Sequence, residues 1–146
     1  MATKTTPYQH RSRPQRMRRR KTNREAVRFI DERGVAAVRV PLDDDGRRYA
    51  LADARDYDRL RASGATGAWY ANSNGERRQE YVRTTVEGIP GRKIGVARAI
   101  LGAGPREVVH YGNLNTFDLR RWNLSTNKGA AKRDDRQLMV GAARNA

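Results

Sequence analysis

The chain has 146 residues and a hydrophobic fraction of 37%, which suits one domain with a modest core. It carries 31 Lys plus Arg against 16 Asp plus Glu, a net charge of +15, and the excess is mostly arginine, whose planar fork matches phosphate; acidic partners are favoured and basic ones repelled. The absence of cysteine excludes disulfides and thiolate metal sites, no apolar run reaches the ~18 residues of a membrane span, and no apolar segment follows the basic N-terminus as a secretory signal requires, so a cytoplasmic location without membrane attachment is expected.

Residues 1–24 hold nine of the basic residues, among them Arg18, Arg19, Arg20 and Lys21, and no acidic one. Such a segment repels itself and buries little, so it is expected to be a disordered arm that orders only on a phosphate backbone. The rest keeps 22 basic against 16 acidic residues. Residues 25–140 are expected to form one domain, with 141–146 a small, polar, flexible end.

Within that domain, the pattern EAVRFIDE over residues 25–32 predicts a short helix stopped by Gly34. Residues 35–40 and 47–51 read as strands around Asp43-Asp44-Asp45-Gly46, whose Asp-Gly ending is a hairpin signal; the spacing of a calcium loop is missing. Residues 53–62 predict a helix capped by Asp53, with Ala54, Tyr57 and Leu60 on one face. Strands follow over 68–71 and 80–86 around Asn74-Gly75, placing Trp69, Tyr70 and Tyr81 either in the core or where they could stack on bases. Gly88-Ile89-Pro90-Gly91, with Arg92 and Lys93 behind it, reads as a turn with basic flanks. Residues 94–101 predict an apolar helix stopped by Gly102, Gly104 and Pro105. Residues 108–127 then read as a strand ending in His110, a polar loop, the basic pair Arg120-Arg121, and the start of a helix running over 126–139.

Asp53-Ala54-Arg55-Asp56-Tyr57-Asp58-Arg59-Leu60, Trp69-Tyr70-Ala71, Arg98-Ala99-Ile100-Leu101-Gly102 and Asp118-Leu119-Arg120-Arg121-Trp122-Asn123-Leu124 occur in an order that resembles the small phage and bacterial HNH endonuclease-like proteins, over roughly residues 35–130. The resemblance implies an α+β fold of short antiparallel hairpins with helices and a C-terminal ββα-metal unit, its basic helix lying in the DNA minor groove. It also implies double-stranded DNA as partner, so that the cytoplasmic protein would sit on nucleoid or phage DNA. In the family, paired Asp-His or His-His residues on a strand, an Asn before Leu and a His or Asn on the helix hold a divalent ion. A neutral imidazole takes a proton from water while the ion stabilises the departing oxygen.

Half of the pair is missing here. Ungapped alignment from Asn123 makes His110 the metal ligand and Tyr111 the base; one inserted loop residue makes His110 the base and Val109 the lost ligand. The helix ligand falls on Ala130, so Asn127 or Asp134 would substitute, and a further family histidine corresponds to Ala97. The resemblance thus assigns His110 and Asn123 to catalysis and His110 and Asn127 to a magnesium, manganese or zinc ion if the centre is active, and no cofactor otherwise. Arg92, Lys93, Arg120, Arg121, Lys128, Lys132 and Arg133 are expected to extend the phosphate track begun by the arm. The expected function is DNA binding with weakened or lost hydrolysis. An active metal-dependent endonuclease and a basic structural protein of a ribosomal or phage assembly are the alternatives.

Overall fold

A computed structural model describes residues 25–73, 79–88, 92–131 and 134–136. The arm with Arg18, Arg19, Arg20 and Lys21, the Asn74-Gly75 turn, Lys132, Arg133 and the C-terminal end lie outside the described residues.

The fold is α+β, with eight strands in three small antiparallel sheets and two helices among the described residues. The first sheet has the order β1(Val27–Ile30), β2(Ala36–Pro41), β3(Tyr49–Asp53). The helix expected over 25–32 is strand β1. Its few apolar residues support either period, and the turn after it decides: Asp31 Oδ1 accepts the N–H groups of Arg33 and Val35, both at 2.9 Å, and Gly34 adopts φ +76°. The chain therefore folds back and pairs Ile30 with Ala36. The Asp43–Gly46 stretch turns the β2–β3 hairpin, with Gly46 at φ +65° and Arg47 N–H bonded to Asp43 Oδ1.

Helix α1(Ala54–Ala62) begins where expected and buries Ala54 and Leu60, with Tyr57 packed edge-to-face on buried Trp69. Asp53 occupies the N-cap without capping; its carboxylate accepts the Arg121 N–H instead. The second sheet has the order β4(Tyr70–Ser73), β5(Glu80–Thr85), β6(Lys93–Gly95). Lys93–Gly95 form a strand where Ile94 and Gly95 were expected to be helical, because they pair with Thr84 and Arg83, and helix α2 keeps only Val96–Leu101, ended by Gly102 in the left-handed region.

The third sheet is the hairpin β7(Glu107–Tyr111), β8(Leu124–Lys128). The helix expected over 126–139 does not begin at Thr126: Thr126, Asn127 and Lys128 pair with Val109, Val108 and Glu107 as strand, and only Arg136 is helical among the described residues beyond. A backbone ladder bought by β7 overrides the weak helical pattern of a segment with little to bury. Between β7 and β8 the loop joins the first sheet, where Leu51 N–H donates to Phe117 O (2.9 Å) and Leu119 N–H donates to Leu51 O (2.7 Å). One buried cluster, including Val38, Leu60, Trp69, Val82, Ile100, Leu119 and Leu124, ties both larger sheets, both helices and the hairpin base together.

Candidate nucleic-acid interface

Side chains alternate along β7, and Val109 and Tyr111 pack toward the core, which turns His110 outward to solvent. Ser125 lies directly across from His110, and Asn127 across from Val108 shares that face, a diagonal neighbour at roughly 7 Å. The donor set there is one imidazole, one hydroxyl and one amide. Among the described residues no group of three or more His, Asp or Glu side chains gathers to hold a metal ion. Divalent ions in hydrolytic sites take carboxylates or several imidazoles, so His110, Ser125 and Asn127 do not fit such an ion.

The positions where the resemblance calls for other groups are apolar and close together. Ala97 and Val109 line one half-open cavity of about 460 Å³ with Tyr81, Arg83 and Tyr111. Tyr111 is no substitute base: burial pushes its hydroxyl above the ordinary tyrosine range, and its ring lies 6.2 Å from that of Tyr81.

Asn123 is buried. Its Oδ1 accepts the Asn113 N–H (2.8 Å) and its Nδ2 donates to Asp118 O (2.9 Å), bracing the β7–β8 loop. Asn123 closes a single 3₁₀ turn, Arg121–Asn123.

Arg120 lies inside the protein rather than on a phosphate track. Nε and Nη2 grip Asp118 at 2.9 and 2.8 Å, and Nη1 donates to Glu32 at 2.8 Å and to Asp31 at 3.3 Å. These carboxylates hold its charge, raising its pKa above the usual arginine value, chiefly through Asp118. Arg121 is half-exposed, but Nε bonds the buried Asp56 carboxylate at 2.9 Å and Nη2 donates to Ile100 O, so it links α1 to the end of α2. Asp31 and Asp56 stand 89 and 65 residues away from their arginines, and no local pattern announces the pairs.

Other cations lie on the second sheet, where Arg83 is half-buried, and at the end of β8. On the second sheet Tyr70 is opposite Arg83, Asn72 opposite Tyr81, and Thr85 opposite Lys93, so these side chains share one face, while Val82, Thr84 and Ile94 are buried on the other. Lys93 Nζ sits 5.9 Å from the centre of the Tyr70 ring, and Arg92 is exposed just before it. Lys128 is exposed at the far end of β8, opposite Glu107. Arg83 was missed from sequence, although the alternation Tyr81, Arg83, Thr85 against Val82, Thr84 carries the signal. This face presents cations beside aromatic rings, a combination suited to phosphates and bases. Among the described residues no helix is long and apolar enough to cross a membrane.

No protein-family model, curated protein or solved structure matches the chain.

Proposed function

We propose that the protein binds double-stranded DNA, mainly through phosphates, on a framework resembling the HNH endonucleases whose hydrolytic centre has been lost. The observation that carries the reading is the second-sheet face, where Arg83 and Lys93 stand among Tyr70 and Tyr81, in a chain of net charge +15. The loss of hydrolysis is supported by the His110 face, which pairs its imidazole with a hydroxyl and an amide, and by apolar Ala97 and Val109 in the adjoining cavity. A general base alone, without a charge to stabilise the departing oxygen, leaves most of the barrier of phosphodiester hydrolysis in place.

The test is plasmid nicking by the wild type and His110→Ala with magnesium, manganese and chelator, beside a gel shift on duplex DNA and duplex RNA. The expected outcome is a DNA shift by both proteins and nicking by neither. Metal-dependent nicking that disappears in His110→Ala would replace this reading with that of an active endonuclease. Preferential binding of RNA would favour a ribosomal or other structural role.

A further inference from the structure

The loop between β7 and β8 is held far more firmly than its exposure requires. Gly112 N–H donates to Asn123 O at 2.8 Å and closes the neck. Inside, Asn113 Nδ2 bonds Asp118, Asn113 Oδ1 accepts the Asn115 N–H, Asn115 Oδ1 accepts the Phe117 N–H, and Leu114 N–H donates to Tyr111 O. Outside, Thr116 Oγ1 donates to Glu80 O at 2.6 Å and pins the loop to β5. Residues 112–123 thus form a compact loop with close ends, of the kind that often carries function.

On this rigid support stands Leu114, 88% exposed and at φ +63°. Its conformation is strained for a branched side chain and comfortable for Gly or Asn, and its exposure gains nothing from burial. Both costs fall on one residue, flanked by the side-chain bonds of Asn113 and Asn115. Local strain held in place by its surroundings clusters at binding and switch sites. Exposed Trp122 stands on the return of the same loop, and exposed His110 on the strand leading into it.

We propose that Leu114 is an apolar wedge that enters a base step of duplex DNA and kinks it. Leucine is among the side chains that proteins insert between base pairs, where partial unstacking bends the duplex. The partner is chosen by charge: a chain of +15 attracts a polyanion and repels basic surfaces. The inference rests on the DNA-binding reading and adds what the loop does once phosphates are held.

The experiment compares the full-length wild type, Leu114→Asn and Leu114→Met on a duplex of about 30 base pairs carrying a fluorescence-transfer pair at its ends, with anisotropy for affinity and a melting curve for each protein. Wild type and Leu114→Met shorten the end-to-end distance, while Leu114→Asn binds within about threefold and leaves the duplex straight. Leu114→Asn also melts about 2–4 °C higher, because asparagine accepts the left-handed conformation. An equal bend with Leu114→Asn, or binding by the wild type without a bend, overturns the wedge alone and leaves a protein pocket as the destination of the leucine. A lower melting temperature for Leu114→Asn overturns it too, since Leu114 would then be a packing residue. Absence of any duplex binding by the wild type overturns the DNA-binding reading and the wedge with it.

Discussion

At the scale of single residues, Arg120 and its carboxylates hold the β7–β8 loop to the β1–β2 turn. The Asp31, Asp118 and Arg120 side chains are each under a tenth exposed, so removing the cation leaves two carboxylates buried without it. Arg120→Ala is expected to cost about 3–5 kcal/mol in urea unfolding, and Arg120→Lys to recover little, since an ammonium cannot grip Asp118 with two parallel bonds. A cost under about 1 kcal/mol would mean that Arg120 is not the structural cation described here. The carboxylates also set an acid limit. Asp31 is lowered chiefly by the Val35 N–H, and Glu32 by its own backbone N–H and then by Arg120. A folded pKa below the unfolded one stabilises the fold at pH above the unfolded value, and this stability is lost as pH falls through the lowered folded value. Unfolding of the wild type followed from pH 6 to pH 2 should show that loss, and Arg120→Ala should show a smaller one.

At the scale of elements, Asn123 decides whether the β7–β8 loop keeps its shape. Asn123→Ala strands the Asn113 N–H and the Asp118 carbonyl, and should cost about 1–3 kcal/mol. Amide exchange at Asn113 should rise while exchange at Val38, deep in the first sheet, stays slow. Equal acceleration at both would point to global destabilisation rather than a loop brace. The elements also differ in how well they could be read. The apolar spacing of Ala54, Tyr57 and Leu60 announces α1, and Asp-Gly announces the β2–β3 turn. β1 and β8 do not announce themselves, because short segments with few apolar residues take the structure their partner strand imposes.

At the scale of the whole molecule, the arm and the second-sheet face are the two parts proposed to meet phosphate. A chain beginning at Glu25 should show a shallower dependence of DNA affinity on salt, by roughly 0.9 in the log–log slope for each phosphate the arm contacts. Arg83→Ala combined with Lys93→Ala should lower the slope of the full chain by about two, with similar weakening on every duplex sequence. Equal slopes for the full and shortened chains would remove the arm from the interface, and an unchanged slope in the double variant would remove the sheet face.

Composition by itself determined the sign and size of the net charge, because charge acts at a distance and needs no fold to be counted. Local pattern determined α1, the strand character within residues 35–40, 80–86 and 108–110, and the hairpin turn at Gly46, because in each the side-chain period and the turn chemistry agree. Only the tertiary structure decided which arginines are available to a partner. Arg120 and Arg121 look like a free basic pair, yet carboxylates from distant parts of the chain claim both, whereas Arg83 stays on a face with tyrosines. It also decided that Leu114 projects from the loop and that Val109 turns inward while His110 turns out. Those outcomes depend on partners brought together by folding across tens of residues, and no local spacing encodes them.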